Sequence, residues 1–261
     1  MLQGFTPLLY HLYEKKLLSE VKKDRLPYHV GLILDGNRRY AREKKLENLS
    51  EGYKKGADKL DEVLCWCEEL NIKMLTIWVL STENLFRETE QLTQLLQVIE
   101  NKILSIAQSP WTHRKQVRVR AVGKMELLPE STRQAIAYAE EVTRNYRSFF
   151  LNIAVGYGGR QEIVDAIKKL LEARLVQDES LETIVNGLTP DEISKYLYTY
   201  DLPDPDLIIR TSGEIRLSGF LLWQSAYSEF YFCDVNWPAF RKIDFLRAIR
   251  SYQQRQRRFG M

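Results

Sequence analysis

The sequence predicts an α/β protein, a single domain with a mostly parallel central sheet flanked by helices. Three observations lead to that class. Short apolar runs such as Met74 to Leu80 alternate along the chain with segments of helical periodicity. Several of these runs end in polar or charged residues, as strands of a parallel sheet do where a ligand sits beyond their carboxyl ends. No linker-like stretch divides the 261 residues, and a composition 44% hydrophobic and 28% charged is that of an ordinary globular chain able to bury a sizeable core.

Residues 5–21 carry Leu8, Leu9, Leu12, Tyr13, Leu17, Leu18 and Val21 at helical spacing. This predicts a helix packed on the body, with a membrane-surface helix as the alternative. We set residues 1–27 apart as a helical N-terminal segment and take 28–261 as the main domain. The run from His29 to Leu34 reads as a buried strand, with His29 fixing its start through a hydrogen bond and Asp35 closing it. Arg38-Arg39-Tyr40-Ala41-Arg42-Glu43 reads as a first helical turn. From about Gly56 to Leu70 a helix shows Ala57, Leu60, Val63, Leu64 and Cys67 on one face. Met74 to Leu80 is a second buried strand, ending in Ser81-Thr82-Glu83-Asn84. Gln91 to Gln108 is a long helix, and Val117 to Val122 alternates as a half-buried strand does. Pro129 opens a further helix. Leu151 to Tyr157 is a strand running into Gly158-Gly159, followed by a helix from Gln161 to Leu175. Thr189-Pro190-Asp191-Glu192 has the form of a capped helix start. Asp206 to Arg210 and Phe230 to Phe232 are short strands, and Ile243 to Arg258 is a basic helix.

The bulk properties exclude several classes. A net charge of +3 is too small to argue for nucleic acid. Three cysteines, Cys65, Cys67 and Cys233, make neither a metal pattern nor a disulfide set, which fits a reduced, cytoplasmic setting. No apolar run is long enough to span a bilayer, and charged residues break up the N-terminus too early for a signal peptide, so membrane contact is peripheral at most.

The chemistry gathers at strand ends. The first strand delivers Asp35, Gly36, Asn37, Arg38 and Arg39. The second delivers Ser81, Glu83 and Asn84, with Arg87 slightly later. A later one delivers Arg210, Ser212, Gly213, Arg216 and Ser218. In a parallel sheet these ends share one edge. That edge would hold up to five arginines, one carboxylate suited to a hard cation and several hydroxyls, which is too much positive charge for a neutral substrate. It suits one or two diphosphates bridged by Mg²⁺, because guanidinium forks match phosphate oxygens. A helix start after Gly36 would add unpaired N–H groups. Ile77, Val79, Leu80, Leu85 and Phe86 could line an apolar slot beside it, although each taken singly is an ordinary core position.

These stretches resemble the signatures of the cis-prenyltransferases, the undecaprenyl diphosphate synthase family. His29-Val30 through Asp35-Gly36-Asn37 to Arg39 is similar to the first, and Ser81-Thr82-Glu83-Asn84 with Arg87 to the second. Tyr157-Gly158-Gly159-Arg160 with Glu162 is similar to the third, and Asp204 to Ser218 followed by Phe220 to Phe232 to the fourth. The resemblance implies an undecaprenyl diphosphate synthase-like α/β fold, usually a homodimer, joining isopentenyl diphosphate to an allylic diphosphate with Mg²⁺ as cofactor. It implies that Asp35 and Glu229 bind the metal. Gly36, Asn37, Arg38 and Arg39 would hold the allylic diphosphate and Arg210, Arg216 and Ser218 the other one, with Tyr40 and Leu217 as further substrate-binding residues. Ser81, Thr82, Glu83, Leu85 and Arg87 would complete the substrate site. Asn84 stands where the family is proposed to assist proton removal, although an amide is a poor base and suits orientation better. Arg258 and Gly260 match a C-terminal motif that reaches a neighbouring subunit.

Three departures bear on the product. Arg38 stands where long-chain members commonly have glycine, Tyr40 replaces a tryptophan, and Gly52-Tyr53 replaces Gly-His. This variant is similar to the short-chain Z-isoprenyl diphosphate synthases, the Z-farnesyl type. Val79 stands where long-chain members tend to carry a small residue, which implies a narrowed slot and a product of about C15. The alternatives are a long-chain synthase making a lipid carrier and a non-catalytic partner subunit. The second fits poorly with the presence of Asp35, Arg39, Arg210, Arg216 and Glu229.

Overall fold

A computed structural model describes residues 5–255. In chain order its elements are α1 (Phe5–Val21), β1 (His29–Ile33), α2 (Asn37–Glu43), α3 (Leu49–Glu69), β2 (Met74–Ser81), α4 (Thr89–Gln108), α5 (Pro110–Arg114), β3 (Val117–Val122) and α6 (Glu130–Thr143). They continue with β4 (Phe149–Tyr157), α7 (Gly159–Val176), α8 (Leu181–Gly187), α9 (Pro190–Ser194), β5 (Leu207–Arg210), β6 (Glu229–Phe232) and α10 (Lys242–Gln254). The strands form one sheet in the order β3-β4-β2-β1-β5-β6, with every neighbouring pair parallel.

Strand alternation divides the core between the two faces. Leu32, Ile77, Leu151, Ile153 and Ile209 join the larger cluster with residues of α3, α4, α6 and α10. Ile33, Ile208 and Tyr157 join a second cluster with Phe220 and Leu221. Gly31 sits in this second layer, where a Cβ would meet the Phe220 ring at 3.0 Å. Helix α1 lies against α10, with Leu17 and Val21 fully buried in the larger cluster. Among the described residues no helix is long and apolar enough to cross a membrane.

The start of one helix and the presence of two short ones differ from the sequence expectation. Helix α3 begins at Leu49 rather than near Gly56, because the Asn48 side chain accepts a hydrogen bond from the Glu51 N–H at 3.1 Å and caps it. Its first turns are polar and glycine-containing, so periodicity hides them; a Cβ on Gly52 would meet the Asn37 carbonyl oxygen at 2.6 Å, and its absence lets α3 approach α2. Helices α5 and α8, with 5 and 7 residues, are too short to show a face.

The order of the strands fixes where a ligand can bind. The chain leaves β1 toward β2 on one side and returns to pair β5 on the other. The carboxyl ends of β1, β2 and β5 therefore surround one crevice, at the point where the strand order reverses.

Candidate active site

A cavity of about 670 Å³ opens at that crevice. Asp35, Gly36, Asn37, Arg38 and Arg39 line it from the end of β1 and from α2. Ser81, Glu83, Asn84 and Arg87 line it from beyond β2, and Arg210 and Ser218 from β5 and its following loop. Five arginines face it: Arg38, Arg39, Arg42, Arg87 and Arg210.

Asp35 and Arg210 form its centre. Arg210 Nη2 donates to Asp35 Oδ2 at 2.8 Å, and Gly36 N–H donates to Asp35 Oδ1 at 2.7 Å. Burial pushes the Asp35 carboxyl up, but the Arg210 guanidinium beside it prevails and holds it below its ordinary range. The backbone of Asp35 is pinned from both sides. Its N–H donates to Thr211 Oγ1 at 3.0 Å, and its carbonyl accepts from Thr211 Oγ1 at 2.7 Å and from Trp237 N–H at 2.9 Å. Gly36 is left-handed, with φ of 101°, and a side chain there would run into Asn236.

Arg210 is only 5% exposed. Its Nη1 donates to Ser218 Oγ at 2.8 Å and to the Arg216 carbonyl, while its buried Nε has no partner among the described residues. The loop it holds is strained: Ser212, Ser218 and Leu221 all have positive φ, at 75°, 51° and 45°. Such residues cost roughly 1–3 kcal/mol each and persist only where surroundings over-determine them. One such support is Glu162 on α7, which accepts from Gln224 Nε2 at 3.0 Å and from Tyr157 Oη at 2.5 Å. Burial raises the Glu162 carboxyl above its ordinary range.

Arg39 Nη1 donates to the Ser212 carbonyl at 2.5 Å, tying α2 to this loop. Burial lowers the Arg87 pKa, and the nearby Arg38 charge lowers it further. Two cations held this close, beside the Asp35 carboxylate, suit the cavity to an anion. Helix α2 has only 7 residues, so few peptide dipoles align there and the guanidinium groups supply most of the field.

Other expected site residues lie off the cavity lining. Thr82 packs on the glycine turn, where a Cβ on Gly158 would meet its Oγ1 at 2.6 Å. Leu85 packs against the larger core, and Leu217 against the second cluster. Tyr40 is half-buried on α2 and does not line the cavity. Arg216 points outward, 63% exposed, and pairs with Glu214 at 2.6 Å, so its place among the five arginines goes to Arg42. Glu229 sits at the amino end of β6, level with Leu207 and Val30. At about 3.3 Å per residue that is roughly 16 Å down the sheet from Asp35. It pairs there with Arg255 at 2.7 Å, an arginine partner for a carboxylate in an apolar run. Arg258 and Gly260 lie outside the described residues.

An apolar slot of about 70 Å³ adjoins the cavity, and Leu34, Asn37, Tyr53, Val79 and Leu95 line both. Val79 stands at an irregularity. Trp78 pairs with Ala154 and Leu80 with Val155, leaving Val79 as the extra residue of a bulge that turns it to the slot. Sequence reasoning missed Arg42, although its helical spacing from Arg38 and Arg39 signals it, and gave Tyr53 no place in the site. Among the described residues no three His, Cys, Asp or Glu side chains come together as a metal cage. The fit is instead with a hard cation held by Asp35 alone and completed by phosphate oxygens and water, as Mg²⁺ commonly is.

Comparison with known proteins shows the family. Residues 33–260 match the prenyltransferase family model described as undecaprenyl diphosphate synthase. The chain is 53% identical over 257 residues to a tritrans,polycis-undecaprenyl-diphosphate synthase (geranylgeranyl-diphosphate specific) of Methanopyrus kandleri, covering 97% of this chain and 91% of that one. It is 51% identical over 252 residues to a (2Z,6E)-farnesyl diphosphate synthase of Thermobifida fusca, covering 97% of each. The crystal structure of lavandulyl diphosphate synthase from Lavandula x intermedia, in complex with dimethylallyl diphosphate, superposes with a TM-score of 0.82 at 32% identity, over 93% of this chain and 100% of that one.

Proposed function

The chain belongs to the undecaprenyl diphosphate synthase family and is a cis-prenyltransferase, and on that premise we propose that it makes a short Z-prenyl diphosphate, of about C15, from isopentenyl diphosphate and a short allylic diphosphate such as dimethylallyl or geranyl diphosphate. The observation that carries this reading is the size mismatch of the two connected spaces. The arginine-lined cavity has about 670 Å³, whereas the apolar slot behind Val79 has about 70 Å³. Diphosphates have room and a long hydrocarbon tail does not.

Arg38, Arg39 and Arg42 take the allylic diphosphate, and Arg210 with Ser218 takes that of isopentenyl diphosphate. Asp35 would hold Mg²⁺, and the bound ion would supply positive charge against the negative charge growing on the departing diphosphate. The arginines stabilise the same charge, preorganised by the contacts already described. The allylic C–O bond breaks, the double bond of isopentenyl diphosphate attacks that carbon, and a proton leaves to an oxygen of the released diphosphate. Asn84 orients this end of the substrate through its amide. Within one protomer Glu229 is too far from Asp35 to share its metal, so a metal-binding role would fall to the partner copy of a homodimer. We place this activity in the cytoplasm.

The test is a product assay with purified protein, Mg²⁺ and labelled isopentenyl diphosphate, offering dimethylallyl, geranyl and farnesyl diphosphates separately. A short Z product that Asp35→Ala abolishes is expected. A ladder reaching dozens of carbons overturns the short-chain reading, and no product from any starter points to a partner-dependent subunit.

A further inference from the structure

The apolar slot carries one charge in its wall. It runs away from the diphosphate cavity between α3, α4 and the sheet, and among its lining residues only Lys102 is charged. Leu95 marks the slot's junction with the cavity, and Lys102 lies seven residues further along α4, about 10 Å beyond it at the helical rise. Its ammonium reaches across to α3, where it pairs with Asp61 at 2.6 Å. The lysine side chain is only 13% exposed, whereas Asp61 is 62% exposed. The stem therefore lies in the slot and the charge sits at the outer end. The ion pair spans the two helices that form the slot's walls.

A growing prenyl tail is pure hydrocarbon. To pass this point it would have to displace the lysine stem or strip the ammonium of its partner and its water, and an uncompensated charge against hydrocarbon is strongly disfavoured. Resting on the short-chain reading above, we propose that the Lys102–Asp61 pair is a polar end stop that limits product length. Val79 narrows the slot's entrance, and Lys102 blocks it further on, one turn of α4 before the slot's Ile106.

A general effect of removing a shielded, ion-paired lysine is separated by a control inside the protein. Lys59 on α3 is equally shielded, at 13%, and pairs with Glu62 at 2.7 Å, yet it lines neither space. Product length is measured for the wild type and for Lys102→Met, Asp61→Ala and Lys59→Met. Lys102→Met, which keeps an unbranched stem without the charge, should lengthen the main product by one or more isoprene units. Asp61→Ala should give a smaller shift in the same direction, because the freed ammonium can turn to solvent. Lys59→Met should leave the product unchanged. Should Lys102→Met impair folding, Lys102→Gln carries the same expectation. A folded, active Lys102 variant with wild-type product length overturns the end stop while leaving a short wild-type product, and hence the short-chain reading, intact. A wild-type ladder of dozens of carbons overturns both.

Discussion

The two ends of one sheet solve opposite problems. At the amino end His29, 3% exposed, donates from Nδ1 to the Pro203 carbonyl at 2.7 Å. That carbonyl can only accept, so Nε2 is left to accept from Thr76 Oγ1 at 2.7 Å. Asn152 Nδ2 donates to the same hydroxyl at 3.0 Å, and the N–H groups of Tyr28 and His29 both donate to Asp206 Oδ2. Polar groups there close on one another. At the carboxyl end they are left open. Arg210 Nε, Asn37 Oδ1 and Asn236 Oδ1 are buried without partners among the described residues, the loop behind them is left-handed at three non-glycine positions, and five guanidinium groups share a cavity. The same strands thus provide stability at one end and an incomplete anion site at the other.

The sharpest way to break this contrast is to weaken the open end. Arg210→Lys keeps the charge and removes the fork, so kcat/KM should fall by about 10²–10³-fold, the loss expected for one preorganised donor. Melting temperature should change far less than activity. Proportional losses of both would mean that Arg210 serves the fold. At the closed end the balance reverses. Burial lowers the His29 pKa from 6.5 to about 4. Unfolded chains bind this proton first as pH falls, so the contribution of neutral His29 is whole above pH 6.5 and is lost between there and pH 4, a difference of about 3 kcal/mol. Denaturant titrations across that window should show a steeper loss for wild type than for His29→Asn, with kcat at neutral pH little changed. Equal slopes would show that the ring does not carry the acid sensitivity.

What could be foreseen follows the same division. The alternation of strand and helix, and the gathering of Asp35, Ser81, Arg87 and Arg210 at one edge, follow from local pattern and the rule for parallel sheets. Other features depend on relations that no single segment contains. Glu229 opens the last strand, but only the β5–β6 register shows that this start lies level with Leu207, at the end of the sheet opposite Asp35. Arg216 lies outside the cavity, paired with Glu214 and exposed, while Arg42 reaches the cavity from α2. Nor does any periodicity mark where β2 slips against β4. The sequence placed Val79 beside a slot, and the bulge explains why it points there.

That bulge carries the smallest effect and the most specific one. Val79 is half-buried and lines both spaces, so Val79→Ala removes two methyl groups from a wall with room on one side. Its stability cost should be about 1 kcal/mol, below the range for fully buried truncations. Product length, read by chromatography with the preferred starter, should nevertheless increase, because the slot behind is widened where it meets the cavity. Val30→Ala, in a fully buried position near the closed end of β1, supplies the contrast: it should destabilise more and leave the product alone. If both variants lose stability and neither changes the product, the bulge is a packing feature and length must be set deeper, at Lys102.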